Sequence, residues 1–338
     1  MVMVNGDMDP TSAPRAPAVK RRKLRLAAVR RILSERTFLG TDGMRIGVAL
    51  GGGGARGWAH IGVLRTLVAA GFEPTIVAGT SIGAIVGGAY AAGRLDELET
   101  FARGLDRRTI WRLTDLNLGK GGGLVLGERV VQSLTDIIGE QGIEALPKKF
   151  AAVATELLTG HEIWLEQGNL ITAIRASYAM PGIFVPVAID GRPLVDGGIT
   201  NPVPVSACRA MGAQLVIAVP LPASQTPAQR FARETPEQAA TAWQKAMAAF
   251  REPERFMARQ LFGDEPGALT TASVSVAALN ILLDRMTRVR LASDPPDVTI
   301  SSDIGKIALL EFDRADEAIA IGAAATEKML PDIKSLLA

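Results

Sequence analysis

Among 338 residues the chain has one cysteine, Cys208. This excludes an intrachain disulfide and a zinc site built from a cysteine cluster. Histidine is almost as scarce, with only His60 and His161 present. No loop carries the dense Asp/Asn spacing of a calcium site, so neither metal nor cofactor is expected. The start of the chain lacks the apolar run of a secretory signal, with Asp7 and Asp9 standing where that run would begin. A cytoplasmic protein is the resulting expectation. Residues 75–93 carry no charge and are long enough to suggest a membrane span. Five glycines interrupt them, however, and a buried strand followed by a buried helix fits the pattern better.

What is present fits a globular chain, at 48% hydrophobic and 21% charged residues. The net charge is only +2, but residues 15–36 hold nine Lys/Arg and a single acid. The remainder is therefore net acidic, and no nucleic-acid partner is expected. Within the basic segment Leu24, Leu26, Ala27, Val29, Ile32 and Leu33 could share one helical face. Such a segment reads as a solvated helix or as one drawn to an anionic membrane surface. The second reading implies peripheral contact at the inner face of the membrane.

Four regions emerge. Residues 1–43 form a basic, partly disordered extension. Residues 44–221 alternate strand and helix patterns: strands at 44–50 and 75–78, helices at 57–70, 82–92 and 95–106, a glycine loop at 119–123 and a helix at 127–139. Strands follow at 150–157, 162–166, 185–189 and 192–195, the last two joined at Asp190-Gly191, then a helix at 202–211 and a strand at 215–221. This alternation predicts a layered α/β fold with a mainly parallel sheet. Residues 222–296 read as a linker and a helical insertion, with helices at 239–262 and 270–293, serving as a lid or an interface. Residues 297–338 return as a strand and a helix that pack back on residues 44–221.

Two glycine motifs carry the chemistry. Gly79-Thr80-Ser81-Ile82-Gly83 lies between a strand and a helix pattern, the context in which a serine stands exposed on a sharp turn. Gly51-Gly52-Gly53-Gly54-Ala55-Arg56-Gly57 occupies a second strand–helix junction. Its backbone N–H groups could hold an anion, either a nucleotide phosphate or the oxyanion of acyl transfer. It lacks the Gly-Lys-Ser/Thr of a phosphate-binding loop, and a tight packing turn is the plain alternative. A nucleophilic serine needs a base. No histidine follows His161, so the order Ser, acid, His cannot be built, and the base must be a carboxylate or a lysine. Asp196, ahead of Gly197-Gly198, is the best carboxylate. Asp190 is explained by its hairpin, Asp303 by its loop, His60 by its helix and His161 by an exposed turn.

Together these residues resemble the patatin-like phospholipase family. Gly52–Gly57 matches its G-G-G-x-R-G motif, Gly79–Gly83 its nucleophile motif and Asp196-Gly197-Gly198 its D-G-G motif. Ala176-Ser177-Tyr178-Ala179-Met180-Pro181 and Asn201-Pro202-Val203-Pro204 extend the match over about residues 44–221. Phe312–Glu317 is similar to the bacterial branch related to the neuropathy-target-esterase group. The resemblance implies a three-layer α/β/α patatin-like fold with a helical C-terminal extension. It also implies a hydrolase of carboxylic esters that uses a dyad, Ser81 as nucleophile and Asp196 as proton acceptor. Gly52, Gly53, Gly54 and Ile82 would hold the oxyanion, and Arg56, Gly79, Gly83 and Gly197 would support the site. Phospholipids, lysophospholipids or other fatty-acyl esters are the implied substrates. Acyl transfer or thioester hydrolysis by the same chemistry, and a non-catalytic lipid-binding role, stay open at this point, as does a homo-oligomer.

Overall fold

The computed structural model describes residues 44–115, 117, 122–222 and 271–337. The basic segment at 15–36, the linker at 223–238 and the helix expected at 239–262 lie outside the described residues.

Residues 44 onward form one compact unit. Its sheet is built on β1 (Ile46–Leu50), β2 (Ile76–Thr80), β4 (Lys149–Glu156) and β9 (Leu215–Val219), with the short β10 (Val298–Thr299) at one edge. The order β10-β9-β1-β2-β4 is parallel throughout. Beyond it, β5 (Glu162–Leu165) and β8 (Arg192–Asp196) pair antiparallel with β4, and β7 (Val187–Ile189) pairs with β8. β3 (Gly123–Val125) and β6 (Gly182–Phe184) form a separate small ribbon.

Both faces of the central sheet are covered, which explains why β1, β2 and β9 are buried along their whole length. Alternate residues serve two cores. Val48, Leu50, Val77, Phe150 and Ile217 join the larger one, under the main helical layer. Ala49, Ala78, Ala151, Val216 and Ala218 face the other way, toward Ala207 and Cys208 on α7 (Val205–Ala210). Small side chains on that face let α7 approach closely: a Cβ on Gly47 would lie 3.2 Å from that of Cys208.

The helices of the larger side are α1 (Ala59–Ala69), α2 (Ile82–Ala91), α3 (Leu95–Arg103), α4 (Arg107–Leu113), α5 (Glu128–Ile138) and α6 (Leu170–Ser177). All ten residues of α2 are buried. The uncharged run at 75–93 is therefore a core strand and a core helix, and no described helix is long and apolar enough to cross a membrane. The final helix, α9 (Ala315–Leu337), packs on α1 at two glycines. A Cβ on Gly62 would meet the Ile319 carbonyl at 2.0 Å, and one on Gly322 the Ala59 carbonyl at 2.1 Å. α8 (Thr271–Ser293) lies against the turn that follows β8.

Several elements differ from the expected pattern. The helix expected over 95–106 stops at Arg103, because the Asp106 carboxylate accepts from the Thr109 N–H and caps α4 instead. α6 was not expected, although Asn169 caps it through the Thr172 N–H. β3 and β6 have three residues each, too few for a strand period to register.

Candidate active site

Three strand ends converge at one edge of the sheet. β1 runs into the glycine loop, β2 ends at Thr80 just before Ser81, and β8 ends on Asp196. The register of β4 explains the meeting of the last two. Thr80 pairs with Val153, and Asp196 pairs with the next residue, Ala154. Both Val153 and Ala154 also pair with β5 on their other side. β2 and β8 therefore share one edge of β4 and meet end to end, running in opposite directions. Gly197 is needed at the exit, since a Cβ there would lie 2.2 Å from the Val153 carbonyl oxygen.

Ser81 adopts φ 58° and ψ −123°, an unfavourable region for a residue with a side chain. Strain of this kind, of order 1–3 kcal/mol, persists only when the surroundings hold it. Here the Ser81 N–H donates to Ser177 Oγ at 2.9 Å, and that hydroxyl donates to the Val153 carbonyl at 2.6 Å. Ser177 is completely buried at the end of α6. Its hydroxyl thus bridges the elbow to β4 at the residue where the β2 ladder stops. The residues alone marked Ser177 only as part of a motif, because its partners lie 96 and 24 positions away. Ser177→Ala is expected to lower unfolding stability by about 1–3 kcal/mol, the cost of an unpaired buried donor. Urea unfolding of the purified variant would measure it.

Asp196 is 4% exposed. Its Oδ1 accepts the Gly198 N–H at 2.7 Å, while Oδ2 is buried with no hydrogen-bond partner among the described residues. Burial pushes its pKa up to about 6; the neighbouring Ser81 hydroxyl and the Gly198 N–H oppose that rise. The serine is thus close enough to favour the carboxylate, without a fully formed hydrogen bond in this resting arrangement. Such pairs commonly tighten only when substrate is bound.

The glycine loop lies over the elbow. The Gly52 N–H donates to the Pro202 carbonyl at 3.0 Å, so this donor is already engaged. The N–H groups of Gly53, Gly54 and Ile82 have no such partner among the described residues. Gly54 has φ +56°, and a Cβ on it would strike the Leu309 carbonyl at 2.2 Å. Arg56 Nε donates to the Gly53 carbonyl at 3.1 Å, holding the loop from within. His60 supports it from α1: Nε2 donates to the Gly51 carbonyl at 2.8 Å. Complete burial pushes the His60 pKa down to about 4, so the ring is neutral and structural. His161 is exposed at the β4–β5 turn, and Asp190, at φ 50°, forms the hairpin with Gly191. Asp303 is exposed in its loop.

Gly52, Gly53, Arg56, Ser81 and Asp196 line one cavity of about 40 Å³, to which α8 contributes Asn280, Leu283, Asp284 and Thr287. No group of three or more metal-ligating side chains occurs among the described residues.

Comparison with known proteins identifies the family. The patatin-like phospholipase family model matches residues 48–209. An uncharacterized NTE family protein of Mycobacterium bovis is 36% identical over 334 residues, covering 86% of this chain and 92% of its own length. The Mycosarcoma maydis lysophospholipase NTE1 is 35% identical over 181 residues, covering 52% of this chain but 10% of its own. Among solved structures, VipD from Legionella pneumophila aligns with a TM-score of 0.45 at 16% identity, covering 85% of this chain and 67% of its own. The fold, the matched catalytic region and a mycobacterial relative aligned over nearly its whole length place this chain in the patatin-like phospholipase family of carboxylic ester hydrolases, among its NTE members.

Proposed function

We propose that the chain is a serine lipid acyl hydrolase in which Ser81 is the nucleophile and Asp196 its proton acceptor. The observation that carries this reading is the unpartnered, fully buried Asp196 Oδ2 beside a serine held at positive φ. No histidine is placed to act as the base: His60 is committed to the glycine loop, and His161 is exposed.

The chemistry follows from the geometry. Asp196 takes the hydroxyl proton as Ser81 Oγ attacks the ester carbonyl. The carbonyl oxygen becomes an oxyanion facing the N–H groups of Gly53, Gly54 and Ile82. The Ile82 N–H stands at the start of α2, where the helix dipole adds positive potential. One donor of this kind is typically worth about 10²–10³ in rate. Collapse of the intermediate breaks the ester bond, and the departing alkoxide takes the proton back from Asp196. Water then attacks the acyl-enzyme, giving its proton to Asp196, and the fatty acid leaves as Ser81 is restored. Gly52, Gly79, Gly83, Gly197 and Arg56 shape the loop and elbow. Phospholipids and lysophospholipids are the substrate class, in keeping with the name of the fungal relative.

A long-chain alkyl fluorophosphonate is expected to label the wild-type chain at Ser81 and to leave Ser81→Ala unlabelled. With monoacyl phospholipid micelles, wild type alone should release free fatty acid. Equal labelling of both proteins would overturn the assignment of the nucleophile. Acyl transfer to glycerol exceeding release to water would replace hydrolysis with transfer.

A further inference from the structure

α8 has two faces with different occupants. Its inner face presents Asn280, Leu283, Asp284 and Thr287 to the cavity that holds Ser81 and Asp196. Leu283 Cδ2 would be 3.0 Å from a Cβ on Gly198. The C-terminal part of the helix is fastened to the sheet through Arg290. That guanidinium donates to the Thr200 carbonyl at 2.8 Å and to Glu162 Oε2 at 2.7 Å. Glu162 Oε1 in turn accepts from Asn201 Nδ2 at 2.7 Å, behind the Asp196 turn. The helix therefore covers the dyad from a fixed point. The space left beneath it is small, about 40 Å³, and is partly open to solvent.

The outer face is apolar and basic. Ile281, Leu282 and Val289 are 50%, 65% and 62% exposed. At about 100° per residue these three fall within one arc, with Arg285 between them and Arg288 at its border. Arg288 also pairs with Asp284 on the same helix, at 3.0 Å. Exposed aliphatic side chains interleaved with arginines suit an interface where tails and anionic headgroups meet.

We propose that the outer face of α8 docks on an anionic lipid surface and so brings the Ser81 cavity to its substrate. The proposal rests on the hydrolase reading for its purpose. Charge complementarity and position argue for a lipid surface over another occupant: the stripe lies on the cover of a site whose substrate is presented by such a surface.

The test uses the full chain and the substitutions Ile281→Ser, Leu282→Ser and Val289→Ser combined, all on exposed positions. The rate of fluorophosphonate labelling is measured with and without vesicles of phosphatidylglycerol and phosphatidylcholine. A soluble short-chain ester reports the site itself. Wild type is expected to be labelled faster with vesicles, and the triple variant to lose at least about tenfold of that gain, from the apolar area removed. Its labelling without lipid and its soluble-ester rate should match wild type. Arg285→Glu should weaken the vesicle effect, and vesicles of phosphatidylcholine alone should give less of it. An unchanged vesicle effect in the triple variant would overturn the proposal. So would a change in its oligomeric state by light scattering with no dependence on lipid, which would make this face a contact between copies. If neither probe nor ester reacts under any condition while the triple variant alone loses vesicle binding, the hydrolase reading fails and the docking surface stands.

Discussion

Asp196→Asn is expected to abolish ester hydrolysis and, at neutral pH, to make the protein more stable. The first effect follows, on the proposed mechanism, from the loss of the buried carboxylate beside Ser81, and general-base removal typically costs about 10²–10⁴ in rate. The second follows from burial. The Asp196 carboxyl has its pKa raised from 3.8 to about 6, so the folded state binds this proton more tightly than the unfolded chain does. Its favourable contribution is complete below about pH 4, where both states are protonated, and is lost as pH rises through about 6. Above that, holding the buried charge costs about 3 kcal/mol, an order-of-magnitude figure at 1.36 kcal/mol per pKa unit. Asparagine keeps an oxygen for the Gly198 N–H and carries no charge. The variant should therefore unfold later than wild type at pH 8, with the gap closing toward pH 4. In wild type, kcat/KM should rise with a single ionisation near pH 6 and then stay level. His60 adds no second limb, since burial holds it neutral down to about pH 4. Thermal melts of both proteins across this range would decide it. Equal melting temperatures at every pH would mean that Asp196 is less desolvated than its burial indicates.

The second large effect concerns the fold beneath the elbow. Gly83→Ala should destabilise the protein by about 3 kcal/mol, the upper range for overpacking a rigid core. The added Cβ would stand 2.2 Å from the Leu50 carbonyl oxygen and 2.9 Å from that of Gly51. Both are backbone atoms at the end of β1, with no rotamer to adjust. Gly79 stands just as close on the strand side, where a Cβ would meet the Gly83 carbonyl at 2.3 Å. Strand and helix thus touch backbone to backbone, which fixes the turn that carries Ser81. Gly71 supplies the contrast. It has φ +87° with nothing within 4 Å of a Cβ, so Gly71→Ala should cost only about 1 kcal/mol, for the backbone conformation alone. Urea midpoints of the two variants would separate steric from conformational requirements. A Gly83→Ala midpoint no lower than that of Gly71→Ala would show that the junction has slack.

Local chemistry made much of this legible from residue order. A G-x-S-x-G between a strand and a helix pattern needs only its neighbours to be recognised, and the same holds for the glycine loop and for Asp-Gly at 190–191. The scarcity of histidine pointed toward a carboxylate base, and Asp196 lies beside Ser81 in the fold. The expected helix ends were displaced where caps intervened, as at Asp106, because a capping side chain and a helical one share the same residue types.

What residue order alone could not yield depended on pairings between distant positions. Ser81 and Asp196 meet because β2 and β8 share one edge of β4, a register that no local period encodes. Ser177 supports the Ser81 turn through bonds to residues outside its own helix. The Gly52 N–H is engaged by the Pro202 carbonyl, and α8 lines the cavity of Ser81 and Asp196 while Arg290 ties it to Glu162. The sequence by itself determined which residues are chemically able to act, because turns, nucleophile and acid are written in adjacent positions. Only the tertiary structure decided which of them meet and what covers them, because strand register and helix docking are set by packing across the whole chain.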